Sequence, residues 1–373
     1  MLKSMTVSNF KAFEKPVTID FGATGNYEFN SDAIKNNIVK TAVMYGKNAS
    51  GKSTLALAIF DIVANLTDNF VNPRNYDIYQ NASHLQEPVE FEFHFVFNGV
   101  EIVYKYQKIN IITIVSETLQ IKDRIVINYN KLKDDPSLYI DMKGAENLQV
   151  DINMMQISAL KLVKNNCVLD NNEENNAFMA MCSFVNKMLL FWSLDNKDFV
   201  GYSSAPGVNI VEKIVQNGHF EDLQAFFKEA GFTDELVHNS GTGREQLYIK
   251  YGNTLLDFNS AGSTGMRSLL LVYFWLEDIL KPEKCPSFIC IDEFDAFYHF
   301  ELSYFIIDKL KSYDCQVLLT THNTSIFTND LLRPDCYYIC SKDKIVNAHN
   351  ATEKEIREGH NLEKLYRGGT FGL

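Results

Sequence analysis

The sequence has no C-x-x-C pair and no Cys/His spacing typical of a zinc site, although it contains seven cysteines. An odd number of scattered cysteines does not suggest a disulfide framework, which indicates a reducing compartment. There is no uninterrupted apolar run of about 18 residues, so no transmembrane helix is expected. The first residues also lack the apolar core of a secretory signal. Together these absences predict a cytoplasmic protein that does not engage a membrane.

Positive charge is also scarce. The chain has 35 Lys and Arg residues against 47 Asp and Glu residues, which gives a net charge of −12. A field of this sign repels nucleic acid, so composition gives no support for nucleic-acid binding, although it does not forbid a local basic groove. The chain has 373 residues, of which 46% are hydrophobic and 22% charged. This length and composition predict two domains or one large α/β unit, with a well-buried core.

What the sequence does contain is a glycine-bounded loop at residues 46–53, with the letters GKNASGKS. It fits the phosphate-binding pattern G-x-x-x-x-G-K-[ST] at every defined position. Residues 38–45 before the loop are typical of a buried strand, and residues 54–66 after it are typical of a helix. In that context, backbone N–H groups and the helix N-terminus converge on one anion. The loop therefore predicts a nucleoside triphosphate site; the alternative is a glycine-rich turn with a surface lysine.

The side chains of this loop predict ATP and Mg²⁺ as the cofactors. Lys52 would place a positive charge against the β- and γ-phosphates, and the Ser53 hydroxyl would complete a Mg²⁺ coordination shell. The residues expected to bind the nucleotide are Gly46, Asn48, Ser50, Gly51, Lys52, Ser53 and Thr54.

The whole chain predicts a mixed α/β architecture in three parts. Residues 1–130 hold the loop and an antiparallel portion, in which an Asn-Gly turn at residues 98–99 joins two alternating runs. Residues 131–235 are interpreted as a helical insertion lobe. Within it, the strongly apolar stretch 177–192 is interpreted as a core helix or a partner-docking surface. Residues 236–373 resume the α/β pattern.

Two further signals lie at the ends of apolar strands. Asp292 and Glu293 end one such run, and His322 ends another. A carboxylate at a strand end can reach the Mg²⁺ held by Ser53, so Asp292 is a predicted metal ligand. Glu293 is expected to be the general base for the attacking water, and His322 to hydrogen-bond the γ-phosphate. The alternatives are a solvated pair of acids and a structural histidine.

A serine and a glycine, Ser263 and Gly265, precede a second predicted helix that has no phosphate loop of its own. The N-terminus of that helix is a candidate second anion site. One triphosphate cannot easily occupy both helix N-termini of one molecule, so the simplest use is to cap the triphosphate of another protomer. This predicts a two-fold dimer with two shared ATP sites. The alternative is an ordinary N-cap serine.

Taken in chain order, these features resemble an ABC-type ATPase head of the SMC and RecF branch. Residues 263–269 (STGMRSL) resemble the signature of that branch, although Met266 replaces the usual polar residue. His299 stands where such heads carry an aspartate. That departure, with THNTS at residues 321–325, is similar to the OLD (overcoming lysogenization defect) nucleases and their stand-alone AAA_15- and AAA_21-like relatives. The glutamine loop of such heads stays unassigned.

The resemblance implies an Mg²⁺-dependent ATPase that dimerises around ATP. No nuclease domain and no long coiled coil are expected, because the residues after His322 hold no suitable acid cluster and the largest insert lacks heptads. The implied role is a sensor or scaffold in a bacterial anti-phage system with a separately encoded effector protein. The alternatives are a RecF-like DNA-repair ATPase that binds DNA and a transporter-type ATPase subunit.

Overall fold

The computed structural model describes residues 1–69, 71–132, 136–152, 155, 157–192, 199–201, 209–239, 244–279, 285–297 and 299–372. The chain divides into two compact units. The first unit contains Met1–Tyr202, Pro286–Glu293 and Cys315–Leu373, and the second unit contains Ser203–Cys285 and Phe294–Asp314. Every helix in the ranges given above is too short or too polar to cross a membrane.

Strands and helices alternate along much of the chain. In chain order the strands are β1 (Leu2–Ser8), β2 (Val17–Asp20), β3 (Ile34–Lys35), β4 (Ile38–Val39), β5 (Thr41–Tyr45), β6 (Val89–Phe97), β7 (Val100–Lys108), β8 (Ile114–Ile121), β9 (Arg124–Asn130), β10 (Ser137–Ile140), β11 (Met188–Trp192), β12 (Phe199–Gly201), β13 (Glu235–Asn239), β14 (Gln246–Tyr251), β15 (Thr254–Asp257), β16 (Phe288–Asp292), β17 (Gln316–Thr321), β18 (Tyr337–Cys340) and β19 (Ile345–Asn347). The helices are α1 (Lys52–Leu66), α2 (Ala159–Asn166), α3 (Glu173–Asn186), α4 (Ile210–Gln216), α5 (Phe220–Glu229), α6 (Phe258–Ala261), α7 (Thr264–Ile279), α8 (Phe300–Ser312) and α9 (Leu362–Arg367).

A mainly parallel sheet in the first unit carries the chemistry-bearing residues. Its strand order is β12-β11-β16-β17-β5-β18-β19. The strands from β11 to β18 in that order run parallel to their neighbours, and β12 and β19 are antiparallel to theirs. Strands β16 and β17 are buried along their whole length, as expected for continuous apolar strands in the middle of a parallel sheet. Because neighbouring strands are parallel, β5, β16 and β17 end at the same edge of the sheet.

An antiparallel sheet forms the other large layer of the first unit, with the strand order β10-β9-β8-β7-β6-β1-β2. Buried and exposed residues alternate along β6 and β7, so one face of the sheet packs in the interior. The turn between them has positive φ at Asn98 (52°) and at Gly99 (80°), the pattern of a two-residue hairpin turn. This confirms the antiparallel portion predicted from the sequence.

Helix α1 follows the phosphate loop and contacts both large sheets. It packs against β11 and β16 of the parallel sheet. On another side, Asp61 accepts a hydrogen bond from Lys108 Nζ of β7 at 2.9 Å. Almost all residues of the helix are buried, which explains its nearly uniform apolar sequence. The predicted strand–loop–helix order is therefore present, and the helix begins at Lys52, two residues before the predicted start.

The segment 131–235 is less uniform than the predicted helical lobe. It contains α2 to α5, but also β10, β11 and β12. The apolar stretch 177–192 is not one helix, because α3 ends at Asn186 and β11 then pairs in parallel with β16. A short strand that is buried on both faces has no alternation, so its periodicity does not distinguish it from a helix. The first unit consequently extends to residue 202, far beyond the predicted boundary at 130.

The second unit combines helices with a small antiparallel sheet of β13, β14 and β15. Phe226 of α5 packs against Tyr273 of α7 and against Phe305 of α8, with ring centroids 5.2 Å apart in both pairs. Tyr273 also donates a hydrogen bond to the carbonyl of His219 at 3.0 Å. These contacts fix α7, the helix that the Ser263 motif precedes.

Candidate functional site

The candidate site lies at the carboxyl edge of the parallel sheet. Strand β17 pairs with β5 on one side and with β16 on the other, so the loop after β5, the acids after β16 and the histidine after β17 are brought together. Ligand sites of open α/β sheets form at this edge because the connecting loops converge there. The structure thus brings Lys52, Ser53, Glu293 and His322 to one cavity, and Asp292 lies behind Ser53.

Two glycines allow the phosphate loop to take its shape. Gly51 has φ of 106°, and a Cβ there would lie 2.5 Å from the Phe13 ring. A Cβ at Gly46 would collide with Ser50 Oγ and would lie 3.0 Å from the carbonyl oxygen of Cys340. Any side chain would therefore displace the loop at both positions. Steric crowding therefore explains why the pattern has glycine at these two positions.

Lys52 lies inside the loop that precedes it. Its Nζ donates a hydrogen bond to the carbonyl oxygen of Gly46 at 2.8 Å and lies 3.2 Å from His322 Nε2. Only 5% of Lys52 is exposed. Burial lowers the pKa of its amine, and the nearby Asp292 carboxylate acts in the opposite direction. The amine is thus held inside the loop by backbone carbonyl oxygens of the loop itself.

Asp292 and Ser53 form the second part of the site. Ser53 Oγ donates to Asp292 Oδ2 at 2.6 Å, and Trp192 Nε1 donates to the same oxygen at 3.2 Å. Thr320 Oγ1 donates to Asp292 Oδ1 at 2.5 Å. A hydroxyl and a carboxylate oxygen that converge in this way are the hard oxygen donors that Mg²⁺ prefers. The donor set of Ser53 and Asp292 therefore fits the predicted metal.

Glu293 faces His322 beside this pair. His322 Nε2 and Glu293 Oε1 are 3.0 Å apart. The backbone of Glu293 has φ of 50°, a left-handed conformation that is strained for a residue with a side chain, and its N–H donates to Thr320 Oγ1 at 2.8 Å. Strained backbone that is held by neighbours is common where a side chain must be aimed at a ligand.

A cavity of about 530 Å³ connects these groups. It is lined by Ala12, Asn48, Ala49, Ser50, Gly51, Lys52, Ser53, Thr54, Glu293, His322 and Lys342. Asn48, Ser50 and Thr54 thus line the cavity as the loop pattern predicted. Among the residues that the structure describes, Ser50 Oγ is buried without a hydrogen-bond partner, so the cavity offers a hydroxyl that a ligand oxygen could satisfy.

Five residues of this site are not among the predicted ones: Ala12, Ala49, Trp192, Thr320 and Lys342. Trp192, Thr320 and Lys342 lie at or near the ends of β11, β17 and β18, so the strand-end rule that selects Asp292 also points to them. Ala12 carries no chemical signal in the sequence.

The Ser263 motif lies in the second unit. Helix α7 begins at Thr264, and Ser263 Oγ accepts a hydrogen bond from the N–H of Met266 at 3.1 Å. Ser263 is therefore the N-cap of α7, which is the alternative that the sequence left open for this serine. Ser260, three residues earlier, lies in the short α6, where its Oγ donates to Asp257. At Gly265 a Cβ would lie 3.1 Å from the carbonyl oxygen of Phe297, so a larger residue would be crowded.

Comparison with protein families gives a partial match. Residues 234–328 match the AAA_21 model, described as "AAA domain, putative AbiEii toxin, Type IV TA system". This stretch contains Ser263, Asp292 and His322, and the match supports an ATPase of the type that the sequence indicated. It does not single out the OLD nucleases. None of the curated proteins compared with the chain gives a significant match.

Several solved structures are similar to this chain over most of its length. The SMC head domain from Thermotoga maritima is 15% identical with a TM-score of 0.43, covering 93% of this chain and 98% of its own. An SMC head bound to the C-terminal winged-helix domain of ScpA is 14% identical with a TM-score of 0.45 (94% and 99%). An SMC head from Pyrococcus furiosus, with an extended coiled coil and bound to the C-terminal domain of ScpA, is 12% identical with a TM-score of 0.42 (92% and 95%).

Proposed function

We propose that this chain is an Mg²⁺-dependent ATPase whose catalytic residues are Lys52, Glu293 and His322. The observation that carries the proposal is the convergence of a phosphate loop, a hydroxyl–carboxylate pair 2.6 Å apart and a glutamate 3.0 Å from a histidine around one cavity. A loop alone would support nucleotide binding. The acids and the histidine beside it add the groups needed for hydrolysis.

Each side chain has a distinct task in this proposal. Lys52 exchanges its hydrogen bond to the Gly46 carbonyl for the negatively charged phosphate oxygens of ATP. Glu293 accepts a proton from the water that attacks the γ-phosphorus. His322 donates a hydrogen bond to a γ-phosphate oxygen, and its contact with Glu293 lets it respond to the loss of that phosphate. Backbone N–H groups of the loop hold the β-phosphate.

Ser53 and Asp292 would hold the metal in this proposal. A Mg²⁺ ion held there would supply positive charge to neutralise the charge that develops on the phosphate oxygens. Thr320 and Trp192 position the Asp292 carboxylate by donating to its two oxygens. Their donor groups fix the orientation of Asp292 without themselves touching the substrate.

The second part of the proposal is a dimer that shares its two ATP molecules. Ser263 and Gly265 at the start of α7 would cap the triphosphate bound by another copy of the chain. The positive dipole end of a 16-residue helix supports an anion-binding role for this end of α7. Hydrolysis would remove the γ-phosphate and open the dimer.

For the biological role, the proposal is a sensor or scaffold in a bacterial anti-phage system that acts on a separately encoded effector protein. The description of the matched family as a toxin of a type IV toxin–antitoxin system supports this setting. The net charge of −12 weighs against a DNA-repair ATPase, which would have to bind a polyanion.

Glu293→Gln provides the main test. ATP turnover should fall by about 10²- to 10⁴-fold, because the general base is removed while its shape is kept. ATP should still bind, and native mass spectrometry with ATP and Mg²⁺ should show dimers. Adding Ser263→Arg to Glu293→Gln should leave ATP bound to monomers. The matched control is Ser260→Arg in the same background, which should still dimerise because Ser260 is outside the cap.

The outcomes separate the parts of the proposal. Unchanged turnover of Glu293→Gln would reject the assignment of the base. ATP binding by Lys52→Ala at the wild-type level would reject the phosphate loop. Equal dimerisation of the Ser263 and Ser260 variants would reject the shared site. For the biological role, the dimer should be purified from its host with a second protein; co-purification of nucleic acid instead would favour the DNA-repair alternative.

A further inference from the structure

The turn between β18 and β19 presents a lysine to the nucleotide cavity. The N–H of Ser341 donates to the carbonyl oxygen of Lys344 at 2.9 Å, and Ser341 Oγ accepts from the N–H of Lys344 at 3.1 Å. Ser341 Oγ also lies 2.9 Å from the carbonyl oxygen of Lys344. These bonds close a tight turn with Lys342 and Asp343 at its centre. Lys342 lines the cavity, and its neighbour Lys344 does not.

The same hairpin is attached to the phosphate loop. Cys340, the last residue of β18, donates from Sγ to the carbonyl oxygen of Ser50 at 3.5 Å. Its own carbonyl oxygen lies where it would crowd any side chain at Gly46. Burial raises the pKa of the Cys340 thiol to about 11, so the group stays a neutral donor in this packing contact. The turn is thereby held in a fixed position relative to the loop.

The strand order decides which part of a bound nucleotide Lys342 would meet. Strand β5, which leads into the loop, lies between β17 and β18. Neighbouring strands are about 4.8 Å apart, so Glu293 and His322 are on one side of the loop and Lys342 is on the other. In the proposed function the γ-phosphate points to Glu293 and His322. The part of the nucleotide on the opposite side is the α-phosphate with the attached nucleoside.

We propose that Lys342 is a nucleotide-binding residue that contacts the α-phosphate end of ATP. This inference rests on the proposed function, because it takes the position of the γ-phosphate from the roles of Glu293 and His322. The ammonium group of lysine is a compact charge on a flexible stem, which suits a contact with phosphate oxygens at the open side of the cavity. Lys342 adds affinity for the nucleotide without taking part in the hydrolysis step.

The test compares ATP and ADP. In the Glu293→Gln background, Lys342→Ala should raise the Kd of both nucleotides by a similar factor, about 10-fold, because both carry the α-phosphate. Isothermal titration calorimetry with Mg²⁺ measures both values. Lys342→Arg should recover most of the affinity by keeping the charge. Lys344→Ala is the matched control, since it removes a neighbouring lysine of the same turn, and its Kd values should equal those of the parent.

Three outcomes would contradict the assignment of Lys342 to the α-phosphate. Unchanged Kd values for Lys342→Ala would overturn the inference. A loss confined to ATP would overturn the placement at the α-phosphate and assign Lys342 to the γ-phosphate. Equal losses in the Lys342 and Lys344 variants would show a general charge effect and also overturn it. If Lys52→Ala retains normal ATP affinity in the same assay, the proposed function itself fails, which is a different result from failure of Lys342 alone.

Discussion

Helix α1 contributes charged residues to two clusters in the first unit. The two clusters contain similar residues, but the hydrogen-bond partners of those residues differ. At its start, Lys52 belongs to the edge cluster, which we define as Lys52, Asp292, Glu293 and His322. Further along, Asp61 belongs to the core cluster, defined as Asp61, Asn65, Tyr79, Tyr106 and Lys108. Both clusters contain a lysine and an aspartate.

In the core cluster, the charged groups bond to each other. Lys108 Nζ donates to Asp61 Oδ1 at 2.9 Å, and Tyr106 donates to the same oxygen at 3.0 Å. Tyr79 donates to Asp61 Oδ2 at 2.7 Å. The side chains of Asp61 and Lys108 are 0% exposed. Burial lowers the pKa of Lys108, and the Asp61 charge opposes that shift. The carboxylate and the amine are both sealed from solvent and bonded within the protein, so this pair has a structural role.

In the edge cluster, the lysine bonds to groups that a ligand can replace. Lys52 donates to the carbonyl oxygen of Gly46, and Asp292 accepts from the hydroxyl of Ser53. These bonds are to uncharged partners beside an open cavity, so a phosphate or a metal ion would form stronger ones. A lysine and an aspartate thus do not reveal function by their presence. The difference is whether the charged groups bond to each other in the interior or face a cavity where a ligand can bind them.

The largest predicted effect is on the core cluster. Asp61→Ala should lower the free energy of unfolding by about 3–5 kcal/mol, because it leaves the buried Lys108 amine without its carboxylate partner. Lys52→Ala should change the free energy of unfolding much less, since the Lys52 amine donates to a backbone carbonyl and its burial already disfavours the charge. Urea unfolding measures both values.

The double variant Asp61→Leu with Lys108→Met is the control for this prediction. It removes both charges at once, so it should be clearly more stable than Asp61→Ala. If Asp61→Ala proves no less stable than Lys52→Ala, the contrast between a closed and an open cluster is wrong.

Thr320 gives a prediction of intermediate size, because it connects Asp292 to Glu293. Thr320→Val should lower the free energy of unfolding by about 1–3 kcal/mol, since the N–H of Glu293 and Asp292 Oδ1 lose their partner. It should also raise the Mg²⁺ concentration needed for half-maximal ATP binding, because Asp292 is less well oriented. Calorimetry at several Mg²⁺ concentrations measures this second effect.

The same substitution at Thr41 is the matched control. Thr41 and Thr320 are both 0% exposed in the parallel sheet. Within the ranges that the structure describes, Thr41 Oγ1 has no hydrogen-bond partner. Thr41→Val should therefore leave stability unchanged or raise it. Equal losses in the two variants would mean that the network around Asp292 contributes nothing specific.

The sequence was sufficient to predict that the residues of the edge cluster lie close together, but it did not predict this for the core cluster. Lys52, Asp292 and His322 each follow or end a recognisable strand, and parallel strands bring their carboxyl ends together without any knowledge of packing. Asp61 and Lys108 carry no such signal. Asp61 lies within an apolar helix and Lys108 ends an alternating strand, and only the contact of α1 with the antiparallel sheet pairs them.

The misassigned strand β11 has a similar explanation. Its five apolar residues fit a buried helix as well as a buried strand, and only the pairing with β16 decides between them. The contact of Trp192 with Asp292 depends on this pairing, so local sequence patterns do not predict it. Local sequence patterns predict the helices and strands that have a turn or a motif at their ends. For other segments, such as β11, pairing with a strand distant in sequence determines whether they form a strand or a helix.

The smallest predicted effect concerns backbone strain, a second difference between the clusters. Ala49 in the phosphate loop has φ of 60°, whereas Asp61 lies within the regular helix α1. Ala49→Gly should raise the free energy of unfolding by up to about 1 kcal/mol, because relief of the left-handed conformation exceeds the entropy gained by the unfolded chain. Ala64→Gly in α1 should lower it by about 0.5–1 kcal/mol, since Ala64 is helical. If both glycine variants lose stability equally, the loop stores no strain at Ala49, and the left-handed backbone of Glu293 (φ of 50°) is the strained position that remains in the edge cluster.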